Sequence, residues 1–121
     1  MERDVSDQSI VEYLRYLDTK SQAGADSGFA PMWMPSFLYD FQAAMVEWAI
    51  RKGRAAIFAD CGLGKTPMGL VWASNVARKT GKPVLYLTPL AVASQTVREA
   101  HKFDIDAVQS RDGSSAGHIV V

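Results

Sequence analysis

Ala59-Asp60-Cys61-Gly62-Leu63-Gly64-Lys65-Thr66 follows the pattern A/G-x-x-x-x-G-K-S/T. Those residue types at that spacing can hold a polyphosphate. Gly62 and Gly64 let the backbone approach a phosphate with no Cβ in the way. Backbone N–H groups of a loop that enters a helix point at an anion, and the helix dipole favours it there. Lys65 would reach β- and γ-phosphate oxygens, and the Thr66 hydroxyl would sit on Mg²⁺. Ala59 and Leu63 complete the cradle, with Asp60 read as a turn residue and Cys61 as loop filler rather than a nucleophile. Pro67 is tolerated in a first helical turn, but it removes the N–H that would otherwise meet an α-phosphate oxygen. The plain alternative is a glycine-rich turn with an incidental lysine. What decides between the two is whether a strand precedes the loop and a helix follows it.

The flanking residues predict that context. Ala55 to Ala59 is a short continuous apolar run, as expected of a strand buried on both faces, and Lys65 to Lys79 reads as a helix closed by Thr80-Gly81-Lys82. Val84 to Leu87 reads as a second buried strand broken at Thr88-Pro89, Leu90 to Phe103 as a helix, and Ile105 to Gln109 as a short strand. Ile119-Val120-Val121 is a further strand-like run. Alternation of this kind predicts an α/β fold with a parallel sheet and crossover helices. Upstream, Ser6 to Ser9 opens a helix in which Ile10, Tyr13, Leu14 and Leu17 recur at helical spacing through about Lys20. Residues 21–30 are small and polar and read as a linker. Met32, Trp33 and Met34, between Pro31 and Pro35, form an apolar knot expected to pack. Phe37, Phe41, Met45, Trp48 and Ala49 then follow helical spacing up to Lys52-Gly53. The expected organisation is a helical N-terminal segment with linker over 1–30, and the α/β unit over 31–121.

Of the 121 residues, 48% are hydrophobic and 21% charged, a globular composition. No apolar run reaches the roughly 18 residues needed to cross a bilayer, and the polar, acidic start has no signal-peptide core. One cysteine makes neither an internal disulfide nor a zinc cluster. Membrane, disulfide-scaffold and zinc-finger classes therefore fall away, and a cytoplasmic protein is expected. The net charge of zero conceals a segregation. Residues 1–40 hold seven acidic against three basic side chains, residues 41–103 nine basic against three acidic, and residues 104–121 three acidic against one basic. A positive middle suits a polyanionic partner, although basic residues also simply solvate helix ends.

The string from Ala59 to Thr66 closely resembles motif I of superfamily 2 helicases, especially the Snf2-like DNA translocases and their phage DEAD/DEAH-box relatives. Leu38-Tyr39-Asp40-Phe41-Gln42, with Trp48 beyond it, is similar to that family's Q-type motif, and Leu85 to Leu90 to its motif Ia. Gln95-Thr96-Val97-Arg98-Glu99 continues the latter, with Thr96 where the family usually has tryptophan, which favours a divergent relative over Snf2 proper. The resemblance covers about residues 37–121. It implies a RecA-like P-loop NTPase domain that binds ATP and Mg²⁺, with Gln42 reading the adenine edge. It also implies backbone contacts to DNA, expected to be duplex, at Thr88, Pro89 and Leu90. Ile119 to Val121 is similar to the strand leading into motif Ib.

The sequence contains no Asp-Glu-x-His run, whose acids in this family hold Mg²⁺ and polarise water, and no second lobe with an arginine finger. Phosphoryl transfer depends mainly on positioned charge. The chain is therefore expected to be a truncated ATP-binding part of a nucleic-acid-dependent ATPase, binding nucleotide but turning over little, with no catalytic residue of its own. His101 and His118 are expected to be structural. The rival readings are a P-loop kinase or phosphotransferase fragment, which leaves Gln42 and the Thr88-Pro89-Leu90 turn unexplained, and a nucleotide-binding module without catalysis.

Overall fold

A computed structural model describes residues 7–21, 26–59, 62–113 and 117–121. Four helices, α1 (Asp7–Ser21), α2 (Asp40–Lys52), α3 (Lys65–Thr80) and α4 (Leu90–Lys102), accompany three short strands, β1 (Val84–Leu85), β2 (Ala107–Val108) and β3 (Ile119–Val120). All pairing is parallel, in the order β1-β3-β2. Ile119 faces both Val84 and Ala107, and Val120 faces both Leu85 and Val108. The ladder runs on past the strands, with Tyr86 N–H donating to Val120 O and Val121 N–H to Val108 O, each at 2.8 Å. A central parallel strand is covered by neighbours on both edges, so Ile119, Val120 and Val121 are all buried. This is the α/β fold with a parallel sheet that the alternation predicts, compatible with a Rossmann-like arrangement. None of the described helices is long and apolar enough to cross a membrane.

The middle of the molecule is α3, whose two faces serve two cores. Leu70 and Ala73 pack with Ala93, Ala100, Ala107 and Ile119 against the sheet and α4. Met68 and Val71 pack with Leu38, Val46 and Ile50 of the α2 side. Trp33 and Trp72 border both clusters. The helix ends where Gly81 takes the left-handed conformation (φ 65°) and donates its N–H to Ala77 O. Its start is set by Gly64, described below.

Several expectations need correction. Ala55 to Ala59 is not a strand: it pairs with none of the described residues, Ala55 and Ala56 are exposed, and Phe58 is 95% exposed. Apolar character alone does not make a strand, because a ladder requires a neighbour to take its hydrogen bonds. Val84 to Leu87 is buried on one face only. Val84 and Tyr86 turn to the core, while Leu85 and Leu87 are 63% and 83% exposed. On α2 the buried stripe is Gln42, Val46, Ala49 and Ile50, so Phe41 and Trp48 face solvent and Phe37 precedes the helix. A stripe one residue out of step rotates the face by about 100°, and neither option is distinguishable by hydrophobicity when both carry apolar residues. Ile10, Tyr13, Leu14 and Leu17 of α1 are all exposed.

The expected linker falls partly outside the described residues, at 22–25. Its end is pinned. The N–H groups of Ser27, Gly28 and Phe29 donate to Lys52 O, Arg51 O and Ile50 O at 3.0–3.2 Å, satisfying the last carbonyls of α2. The Met32-Trp33-Met34 knot packs as expected at Trp33 and Met34, with Met32 exposed. His101 is structural, its Nε2 3.0 Å from Ala107 O, and the backbone of His118 donates to Asp106 Oδ2 at 3.3 Å.

Candidate functional site

The glycine-rich loop ends directly on α3. Gly64 is the residue before the helix, held at φ 75°, and Gly62 has φ 82°. A Cβ at such angles is strained, so both positions favour glycine on backbone grounds. A side chain built on Gly62 would otherwise meet only open space, so the loop is free to present its backbone outward there. The first N–H groups of a helix have no intrahelical acceptor. Here Lys65 and Thr66 bring such donors and Pro67, the third helical residue, brings none. Lys65 is exposed, and among the described residues no carboxylate pairs with it. Positive-φ backbone, helix N–H groups with no intrahelical acceptor and an ammonium with no carboxylate partner among the described residues suit a polyphosphate, but of the two flanking elements the motif asks for only the helix is present, since Ala55 to Ala59 forms no strand. Ala59 precedes the loop, half-buried; Asp60 and Cys61 lie outside the described residues.

Gln42 is brought to the loop by α2. It is only 6% exposed, and its Nε2 donates to Leu63 O at 2.9 Å while its Oε1 accepts from Tyr39 N–H at 2.9 Å. The two partners fix which way the amide points, since a carbonyl needs a donor and an N–H needs an acceptor. A Cβ on Gly64 would overlap this same amide, a second reason for glycine there.

Beside the loop lies a cavity of about 370 Å³, lined by Phe37, Tyr39, Phe41, Gln42, Gly62–Gly64, Pro67 and Phe103. Phe37 stacks on Phe103 with centroids 4.2 Å apart and planes 15° from parallel, and Tyr39 lies parallel to Phe41 at 6.2 Å. Phe103 comes from the end of α4, more than sixty residues from Phe37 in sequence. No spacing rule links them, so the wall is visible only in the fold.

A second cavity, about 240 Å³, joins Thr66 to Tyr86, Thr88, Val92, Gln95, Thr96 and Glu99. Burial, and then the Glu99 carboxylate, push the Tyr86 hydroxyl pKa upward. The turn at Thr88-Pro89-Leu90 thus borders the loop through Thr88. Pro89 precedes α4 and Leu90 is exposed.

Asn75 escapes a motif search, yet it ties the Met32–Trp33 segment to α3. Its Oδ1 accepts from Met32 N–H and Trp33 N–H, and its Nδ2 donates to Trp33 O and Val71 O, all at 2.8–2.9 Å. The available signal was an amide one turn beyond Val71 on an apolar helix face, which demands partners.

Pro67 supplies a direct test of the loop geometry. Replacing it with alanine restores one N–H in the first turn of α3; on the expectation that the loop holds a nucleotide, affinity should rise by about 1 kcal/mol, roughly fivefold. An unchanged dissociation constant in a titration with fluorescent nucleotide would remove position 67 from the anion site.

Comparison with protein-family models, with curated proteins and with solved structures finds no match to this chain.

Proposed function

We propose that the chain is the ATP-binding portion of a superfamily 2, Snf2-like DNA helicase or translocase, built on a RecA-like domain. One observation carries the reading: Gln42, from the Q-like segment, is hydrogen-bonded at 2.9 Å to the backbone of the glycine-rich loop 21 residues away. Two stretches that resemble two motifs of one family therefore meet at one place, next to a cavity of about 370 Å³.

In this reading the backbone of Gly62–Gly64 and the N–H groups of Lys65 and Thr66 surround the phosphates. The Lys65 ammonium neutralises their charge, and the Thr66 hydroxyl offers an oxygen ligand to Mg²⁺. The aromatic wall of the adjoining cavity receives the base. ATP supplies the phosphoryl group whose loss powers movement along DNA. Thr88, Pro89 and Leu90 would meet the DNA backbone, and Thr88 lines one cavity together with Thr66. The Asp-Glu-x-His acids are not among these 121 residues. Binding without appreciable turnover is therefore expected of this chain.

The test is calorimetric titration of the 121-residue chain with ATP and Mg²⁺, alongside Lys65→Ala. Saturable binding that the substitution weakens supports the reading. Absence of binding by the unaltered chain overturns it. ATP hydrolysis stimulated by a small acceptor molecule rather than DNA would move the assignment to a phosphotransferase.

A further inference from the structure

The charge segregation of the sequence takes a definite place in the fold. α2 and α3 lie side by side and run the same way. Gln42, in the first turn of α2, bonds to the loop before α3, and the last carbonyls of α2 bond to the 27–29 segment, whose Phe29 ring lies under Lys79 near the end of α3. Both helices therefore end at one side of the molecule. Six of the nine basic side chains between residues 41 and 103 belong to these two endings: Arg51, Lys52, Arg54, Arg78, Lys79 and Lys82. Glu47 pairs with Arg51 at 3.1 Å and Asp26 with Lys52 at 3.4 Å. Arg54, Arg78, Lys79 and Lys82 are exposed and have no carboxylate partner among the described residues.

Basic residues at a helix C-terminus commonly serve the helix itself by meeting its last carbonyls. Here other groups do much of that work. N–H groups of Ser27, Gly28, Phe29 and Gly53 donate to the last carbonyls of α2, and on α3 the Gly81 N–H donates to Ala77 O and the Thr80 hydroxyl to Val76 O. Two of the cations are instead held over rings. The Arg78 guanidinium lies 4.8 Å from the centroid of Trp33, and the Lys79 ammonium 5.9 Å from that of Phe29. Both rings are half-buried against the hydrophobic clusters, so they are firm supports. A guanidinium stacked on its face keeps the N–H donors of its rim for a phosphate.

We propose that this end of the α2–α3 pair is a nucleic-acid contact that holds the phosphate backbone without reading base sequence. Cations at fixed positions match a polymer whose phosphates recur at fixed intervals, about one negative charge per 1.7 Å of duplex axis, better than a fluid lipid surface. The place is separate from the nucleotide loop, since the 16 residues of α3 put about 24 Å between them. The choice of nucleic acid as partner rests on the reading of the chain as acting on DNA.

The experiment is a fluorescence-anisotropy titration of the 121-residue chain with a short labelled duplex of mixed sequence, over a range of salt concentrations. It is repeated with Arg54→Gln, Lys79→Gln and Lys82→Gln combined. Affinity at low salt is expected to fall about tenfold or more, and the slope of log affinity against log salt to become shallower by roughly 2 to 3, near 0.9 for each lost phosphate contact. Should the combined variant lose its fold, Lys82→Gln alone serves, with a slope shallower by about 0.9. Unchanged affinity and slope overturn the proposal. So does absence of DNA binding by the unaltered chain, or tighter binding to phosphatidylserine vesicles than to DNA. The combined variant is expected to bind ATP as the unaltered chain does. Failure of the unaltered chain to bind ATP, with salt-dependent DNA binding intact and weakened in the variant, brings down the nucleotide reading and leaves this contact standing.

Discussion

Asn75→Ala should lower the unfolding free energy by about 3 kcal/mol, a large part of the 5–15 kcal/mol typical of a small domain. The side chain is fully buried and uses every hydrogen-bonding position of its amide on one side of α3. Truncation leaves two backbone N–H groups, of Met32 and Trp33, without their acceptor, and Trp33 O without its donor. Each unsatisfied buried group costs about 1–3 kcal/mol, with partial relief because the segment around Met32 is near water. The consequence spreads, because Trp33 borders both hydrophobic clusters and touches the edge of Phe37 at 6.2 Å. Thermal unfolding followed by circular dichroism should show a midpoint lower by on the order of 10 °C. Asn75→Asp should be no milder, since a carboxylate cannot donate to Trp33 O and Val71 O. A loss under 1 kcal/mol in Asn75→Ala would mean that the 31–35 segment is held by its apolar contacts alone.

Lys65→Ala should weaken ATP binding by about 10- to 100-fold and leave the fold almost untouched. The ammonium stands at the first position of α3, exposed and without a carboxylate partner among the described residues, so removing it orphans no buried charge. Stability should move by no more than about 0.5 kcal/mol, as for other exposed substitutions. Hydrogen bonds from an ammonium to a phosphate contribute roughly 1.5–3 kcal/mol, which sets the range of the affinity loss. Paired measurements are needed: the dissociation constant by calorimetry and the midpoint of thermal unfolding. Unchanged affinity with unchanged stability would show that Lys65 does not touch phosphate, and the proposed function would fall. The two substitutions separate two roles of one helix, the proposed phosphate contact at its N-terminus and the anchoring of the preceding chain at its middle.

The comparison of Gln42 and Phe103 is instructive about what a sequence carries. Gln42 stands out in the sequence because it lies in a short segment that resembles a known motif. Its actual partners, Leu63 O and Tyr39 N–H, do not, since hydrogen bonds between distant segments follow from packing angles. Phe103 was legible only as the end of a helical pattern, and its stacking on Phe37 depends on where α4 crosses the loop. The exposed state of Phe58, Leu85 and Leu87 was misread for a related reason. Apolar runs report a tendency to be buried, whereas burial itself depends on which faces find neighbours.

Local chemistry is what the sequence determined by itself. Gly64 set the start of α3, Gly81 set its end, and strand–helix alternation set an α/β chain with a parallel sheet. These follow from φ/ψ limits, capping and hydrophobic period, all of which act over a few residues. The tertiary structure alone decided the strand order β1-β3-β2, the buried face of α2, the lack of a strand at 55–59 and the assembly of the aromatic wall. Each of these depends on contacts between segments tens of residues apart, where many pairings satisfy the same local preferences and only close packing selects among them.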